Sequence, residues 1–140
     1  MKKEEKTERR SGCPINVALE IFGDRWSLLI VRDLMFTDRR TYKEFLDAGE
    51  GIATNILTDR LERLETHGII AWERDPADGR KITYRLTAKG MDLAPVLVEM
   101  ILWSARHEKT AAPPAVIRKM SKNRKRFISE IRKRWTETKD

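Results

Sequence analysis

Residues 51–90 read GIATNILTDRLERLETHGIIAWERDPADGRKITYRLTAKG and carry the clearest structural pattern in the chain. Apolar side chains recur at helical spacing over residues 54–67, which predicts an amphipathic helix that ends at Gly68. Residues 69–74 and 81–86 are typical of two strands, and the Asp-Pro-Ala-Asp-Gly segment between them is typical of a turn. The stretch therefore predicts a helix followed by a β-hairpin with a charged tip.

The residues before this stretch supply the other helices of such a unit. Pro14 suits the first turn of a helix, because its missing N–H has no helical partner there, and Asp24 can cap a second helix. Thr41 and Glu44 have the spacing of a capping box for a short third helix. Glycines at residues 49 and 51 then allow the turn into helix 54–67. The predicted fold is mainly α with a small β-hairpin wing, a winged helix-turn-helix.

Five segments together resemble the HxlR-type transcriptional regulators, a branch of the MarR-like winged helix-turn-helix proteins. They are CPINVALEIFGDRWSLLIVRDL, RRTYKEF, GIATNILTDRLERLETHGII, YRLTAKG and LAPVLVEMILW, and they span roughly residues 13–104. The resemblance implies a homodimeric, DNA-binding regulator of bacterial type. Two features depart from the family: Ala53 replaces the usual small polar cap, and the chain continues well beyond Thr110.

The resemblance implies that helix 54–67 reads DNA and that the wing contacts the flanking backbone. Thr54, Asn55 and Thr58 are suited to base edges in the major groove, Arg80 to the minor groove, and Lys81 to phosphate. The expected DNA-contacting set is Arg39, Arg40, Thr41, Ala53, Thr54, Asn55, Thr58, Asp59, Arg60, Arg63, Arg80 and Lys81. Three alternatives remain. The polar residues of helix 54–67 could be ordinary exposed side chains, and the charged hairpin could simply be solvated. The winged helix could also contact proteins without sequence-specific DNA binding.

The predicted helix over residues 88–109 has almost no polar face. A helix that is apolar on all sides must be buried, and a partner subunit is the simplest cover in so small a chain. Pro95 predicts an irregularity near residues 92–94. The expected dimer interface, which includes the N-terminal helix, is Ile15, Leu19, Leu97, Val98, Ile101, Leu102 and Trp103. The alternative is a central core helix in a monomer.

The formal net charge of +7 is unevenly distributed along the chain. Residues 1–12 carry +2, residues 13–112 carry −2, and residues 113–140 carry +7. The case for DNA binding by the winged domain therefore depends on where individual arginines lie. The basic excess belongs to a last helix, predicted over residues 115–135 with an apolar stripe and a basic face.

This distribution predicts three parts: a flexible charged tail over residues 1–12, a winged domain with its dimerisation helix over 13–110, and a basic amphipathic C-terminal helix over 111–140. The last helix could bind nucleic acid, lie on a membrane or pack on the dimer. We expect its apolar stripe to dock on the protein, with Arg124, Lys125 and Arg126 facing flanking phosphates. The alternative is a solvated face.

Cys13 is the single cysteine and lies at a predicted helix start, where the helix dipole favours the thiolate. The family resemblance implies a thiol sensor of oxidants or electrophiles at this position; the alternative is an inert, partly buried residue. The histidines, residues 67 and 107, lack metal-ligand spacing, and no phosphate-binding glycine loop is present. We therefore expect no enzyme activity, metal, cofactor or membrane span, and a cytoplasmic location.

Overall fold

Residues 8–138 are described by the computed structural model. In this part of the chain, eight helices surround one two-stranded antiparallel sheet. The elements are α1 (Pro14–Phe22), α2 (Ser27–Phe36), α3 (Tyr42–Leu46), α4 (Thr54–Thr66), β1 (Ile70–Arg74), β2 (Ile82–Leu86), α5 (Ala88–Met91), α6 (Ala94–His107), α7 (Pro114–Lys122) and α8 (Arg124–Thr138). The predicted winged helix-turn-helix is confirmed. Residues 1–7 of the predicted N-terminal tail lie outside the described residues.

Local capping chemistry determines where the first helices begin. The Asp24 carboxylate accepts hydrogen bonds from the N–H of Trp26 at 2.8 Å, the N–H of Ser27 at 2.9 Å and the Ser27 hydroxyl at 2.6 Å. Asp24 therefore caps α2 as predicted. Thr41 and Glu44 form the predicted capping box of α3, with each side chain accepting from the other residue's backbone N–H.

The helix-turn-helix is built from α3, a glycine turn and α4. Gly51 in this turn has φ +72°, a left-handed conformation that side-chain-bearing residues rarely adopt. The helix α4 begins after Ala53, which provides no side-chain cap. It buries a leucine stripe (Leu57, Leu61 and Leu64) in a core shared with α2 and β1, which fixes the direction of its opposite face.

The wing is attached to the helix-turn-helix by backbone and aromatic contacts. Residues Ile70 to Arg74 pair with Leu86 to Ile82 in antiparallel register. The Tyr84 N–H donates to the Arg40 carbonyl oxygen at 2.8 Å, and the Tyr84 ring lies 5.9 Å from the Phe45 ring. These contacts join β2 to α3 and to the loop before it, so the hairpin is held against the helix-turn-helix.

The helix expected over residues 88–109 is two helices, because the chain turns between Met91 and Ala94. Pro95 lies in the first turn of α6, where a proline N–H is not needed. The predicted irregularity near residues 92–94 is confirmed.

The single C-terminal helix expected over residues 115–135 is also two helices. Asn123, with φ −152°, separates α7 from α8, and its side-chain oxygen accepts from the Arg126 N–H at 3.0 Å. Met120 of α7 packs on the inner face of α6, and Ile131 of α8 is buried in the main core. In the described part of the chain, no helix is both long and apolar enough to cross a membrane.

Candidate nucleic-acid interface

The first turns of α4 present polar side chains to solvent. Thr54, Asn55 and Thr58 are exposed, opposite the buried leucines. The Thr58 hydroxyl donates to the Thr54 carbonyl oxygen at 3.0 Å. The Tyr42 hydroxyl donates to the same carbonyl at 2.9 Å and lies 3.2 Å from the Thr58 hydroxyl oxygen. Sequence reasoning missed Tyr42, although the capping box already places it at the first position of α3.

Arg60, an expected DNA contact, is occupied within the protein. Its Nε donates to the Asp24 carboxylate at 3.0 Å, its Nη1 contacts the Asp59 carboxylate, and its side chain is 19% exposed. Burial opposes the charged guanidinium, but the Asp24 and Asp59 carboxylates outweigh it and raise the pKa of Arg60. Arg60 therefore joins α4 to the start of α2, while Asp59 is exposed and ion-paired.

Three more of the expected arginines have protein partners. Arg63 Nη2 donates to the Glu20 carbonyl oxygen of α1 at 3.2 Å, and Arg39 Nη1 donates to the buried Asp33 carboxylate at 3.3 Å. Arg40 Nη1 donates to the Thr37 carbonyl oxygen at 2.9 Å, and burial lowers the pKa of this guanidinium. The Thr41 hydroxyl caps α3. The structure thus places these four residues in contacts that hold the motif together.

The cations at the tip of the wing are more exposed than the arginines of the helix-turn-helix and have fewer protein partners. The Arg80 side chain is 93% exposed, with one weak contact of 3.3 Å to Asp78, and Lys81 is also exposed. Arg74 supports the turn by donating to the Gly79 carbonyl oxygen at 2.9 Å while it lies over the Trp72 ring. The pKa of Glu44 is lowered chiefly by the Arg40 N–H, with a contribution from the Lys81 charge. Of the wing cations, Lys81 therefore lies within electrostatic range of Glu44 in α3.

Exposed apolar side chains lie on α1 and, separately, on α6. Ile15 is 71% exposed and Trp103 is 56% exposed, and Leu19, Val96 and Met100 are exposed as well. This corrects part of the expected interface. Three of its seven residues face the interior instead, where α7 and the core cover them: Leu97, Val98 and Leu102. Ile101 is partly buried.

Cys13 is exposed at the start of α1. Hydrogen bonds from the backbone N–H groups of Asn16 and Ile15 lower the pKa of its thiol. The lowering of the thiol pKa therefore arises from the backbone N–H groups at the start of α1. Among the described residues, no cluster of histidine, cysteine or carboxylate side chains could hold a metal ion.

Comparison with known proteins agrees with this architecture. The model of the HxlR-like helix-turn-helix family matches residues 21–112. The HTH-type transcriptional regulator sll1512 of Synechocystis, itself uncharacterised, is 42% identical over 88 residues, which are 63% of this chain and slightly less than two thirds (64%) of that protein. The HTH-type transcriptional regulator YodB of Bacillus subtilis is 34% identical over 93 residues, covering 66% of this chain and 82% of YodB.

Solved structures extend the similarity to three dimensions. Reduced YodB superposes with a TM-score of 0.57 at 32% identity, covering 69% of this chain and 95% of YodB. The redox regulator HypR in its oxidised form gives a TM-score of 0.62 at 26% identity, covering 70% of this chain and 100% of HypR. These relatives are described as transcriptional or redox regulators. The chain belongs to the HxlR-like helix-turn-helix family of transcriptional regulators.

Proposed function

We propose that this chain binds double-stranded DNA as a homodimer, with α4 in the major groove and the wing on the adjacent minor groove. One observation carries the proposal: the uncharged polar face of α4 lies exposed beside a wing whose tip cations have almost no protein partner. Threonine and asparagine can read base edges, and free arginine and lysine can neutralise phosphates. A two-fold dimer would read an inverted repeat, with half-sites about one helical turn apart.

The exposed apolar side chains of α1 and α6 support the dimer. Exposed aromatic and aliphatic side chains of this kind are typical of a subunit contact. We expect Trp103→Glu to convert a dimer into monomers, because a carboxylate would be buried without a partner. Sedimentation velocity measures the result. Arg118→Glu on α7 makes a carboxylate at another exposed position and should leave the dimer intact. A monomeric unmutated protein would refute this part of the proposal.

Mobility-shift titration on the DNA upstream of the protein's own coding sequence tests the function. We expect a discrete complex that survives excess unrelated DNA. A variant with Thr54, Asn55 and Thr58 all changed to alanine should keep nonspecific binding and lose that preference. If the unmutated protein bound no DNA, the protein–protein interaction alternative would replace this one. Equal binding to every sequence would refute specific reading.

We also propose that Cys13 senses electrophiles. Its exposure and lowered pKa support this, as does similarity to the redox regulator HypR and to YodB, for which a quinone-bound structure exists. The Cys13 sulfur would add to a ring carbon of a quinone, and the thiol proton would pass to a ring oxygen. The product is a hydroquinone thioether, so no further oxidant is needed.

Mass spectrometry and DNA titration test the sensor together. We expect Cys13 to react with benzoquinone faster than a free peptide cysteine does at neutral pH, and the adduct to bind DNA more weakly. Cys13→Ser should keep its DNA affinity in the presence of the quinone. Slow labelling that becomes fast only after unfolding would contradict the proposal, and so would an adduct with unchanged affinity.

A further inference from the structure

The helices α7 and α8 lie beyond residues 21–112, where the family match ends, yet α8 is anchored to the wing. Trp135 Nε1 donates to the carbonyl oxygen of Leu86, the last residue of β2, at 3.0 Å. Ile131, one turn earlier, is buried in the main core. The end of α8 is therefore held in a fixed position beside the base of the wing.

A second contact region joins the last turn of α8 to the wing. Trp135 and Thr138 line a cavity of about 220 Å³ together with the β2 residues Thr83, Tyr84 and Arg85. The last turn of α8 therefore lies beside this strand.

Ion pairs divide the cations of α7 and α8 into two groups. Four of them are paired with carboxylates: Lys119 and Arg126 with Glu130, Arg124 with Glu99, and Arg132 with Asp92. Two of the three residues expected to face flanking phosphates, Arg124 and Arg126, thus have a carboxylate partner within the protein. The number of unpaired cations on α7 and α8 is therefore smaller than the total number of cations that the sequence places there.

Arg134 belongs to the unpaired group and lies beside the end of α2 and the loop that follows it. It lines a smaller cavity of about 50 Å³ with Trp135 and Arg40, and the Arg134 charge is one of the influences that lower the pKa of Arg40. Arg85 lines the neighbouring cavity from β2 and is exposed. Carboxylates from Asp38 and Glu73 line the same cavities, but within the described residues neither Arg85 nor Arg134 forms an ion pair with them.

Two unpaired guanidinium groups therefore flank Trp135, one on the wing and one on the C-terminal helix. Exposed guanidinium groups without a carboxylate partner are available to the phosphate oxygens of a polyanion. We propose that Arg85 and Arg134 form a second phosphate-binding edge, which extends the DNA contact beyond the wing tip to the backbone outside each half-site. This inference rests on the proposed DNA binding. According to this inference, α8 contributes to DNA binding through the location of Arg134 and not through the total charge of the C-terminal helices.

The salt dependence of DNA binding tests the inference, with a charge-matched control. The double variant Arg85→Gln/Arg134→Gln removes one cation from β2 and one from α8. The control Lys122→Gln/Lys125→Gln removes two exposed cations that have no ion pair in the described structure and lie on either side of the junction between α7 and α8. All four side chains are on the surface, so both variants should unfold near the wild-type midpoint.

We expect the Arg85→Gln/Arg134→Gln variant to reduce the slope of log K against log salt by about 3–4 for a dimer, since each phosphate contact contributes about 0.9. The control should change the slope by less than one contact would. Preference for the operator over unrelated DNA should stay at the wild-type ratio. Hydroxyl-radical footprinting should lose protection just outside the wing position in the first variant only.

Equal slope changes in both variants would overturn the inference, because total charge would then explain the effect. An unchanged slope in the Arg85→Gln/Arg134→Gln variant would overturn it as well. Absence of any DNA complex with the unmutated protein is a separate result, since it would refute the proposed function itself.

Discussion

Arg60 and Arg63 of α4 contact other protein groups, at the start of α2 and in α1, whereas Arg80 at the wing tip is exposed to solvent. Arg60 comes three residues after Leu57, at the border of the buried stripe, so its guanidinium reaches neighbouring helices. The difference indicates that the two α4 arginines fix the position of their helix. Arg80 at the wing tip, unlike Arg74, has almost no protein partner.

Arginines in a DNA-binding domain can either hold a helix in position or contact phosphate, and the sequence alone does not distinguish these two roles. A reading helix must be held within a fraction of a turn, because its base-reading side chains work only at defined distances. A phosphate contact tolerates more motion, since long, flexible side chains can follow the backbone. Under the proposed function, the internal contacts of Arg60 and Arg63 would hold α4 in position, and the exposed Arg80 would attract phosphate.

The largest effect we expect is on stability, from Asp24→Ala. The change removes the cap of α2 and leaves Arg60 without its Asp24 contact, so unfolding should become easier by about 2–3 kcal/mol. Asp78→Ala breaks the equivalent acid–arginine contact in the exposed wing and should cost less than about 0.5 kcal/mol. Urea unfolding of both variants measures the contrast. Similar losses would remove the distinction between the two regions.

The Asp24 carboxylate should also make the stability of the fold depend on pH. Burial would raise the pKa of Asp24, but hydrogen bonds from Ser27, Trp26 and Arg60 outweigh it and lower the value from 3.8 to about 2. A lowered pKa stabilises the fold above about pH 4, by about 2 kcal/mol, and this contribution is lost as the pH falls towards 2. The stability difference between wild type and Asp24→Ala should therefore shrink between pH 4 and pH 2.

A smaller effect, now on binding, distinguishes the two sets of arginines directly. Arg80→Gln should reduce the slope of log K against log salt by about 1.8 for a dimer, because one phosphate contact per subunit is lost. Arg63→Gln removes the same charge from α4 and should leave the slope unchanged. Fluorescence titrations at several salt concentrations provide both values. A reduced slope for Arg63→Gln would show that this arginine also contacts phosphate.

Local chemistry explains what could be predicted from the sequence. The capping box at Thr41 and Glu44, the helical spacing of the α4 leucines and the turn residues of the wing each depend on neighbours within a few positions. The break near Pro95 is local as well. These features are sufficient to identify a helix-turn-helix with a wing and to place the exposed polar face of α4.

Contacts between distant positions explain what could not be predicted. Arg60 meets Asp24 across 36 positions, and Trp135 reaches Leu86 across 49. The apolar pattern of α6 predicts that the helix is buried. It does not identify the part of the protein, or the partner subunit, that covers it. Its inner face, with Val98, packs on Met120 of the same chain, whereas Trp103 remains exposed. The C-terminal helices thus supply part of the cover that a partner subunit was expected to provide.

The smallest effect we expect concerns specificity, from Thr58→Ala. Thr58 already donates to the Thr54 carbonyl oxygen and lies beside the Tyr42 hydroxyl, so only part of its hydrogen-bonding capacity is free for a base. We therefore expect it to contribute about 1 kcal/mol of discrimination, at the low end for a base contact. Competition between operator and mutated operator measures this difference.

Two further variants make that measurement decisive. Thr66→Ala makes the same change at the far end of α4 and should leave discrimination unchanged. Tyr42→Phe keeps the ring and removes the hydroxyl that orients Thr58. If Thr58 reads a base directly, Tyr42→Phe should weaken discrimination by less than Thr58→Ala does. Equal losses would mean that the hydroxyl pair acts as one unit, whereas no loss in either variant would assign base reading on α4 to Thr54 and Asn55 alone.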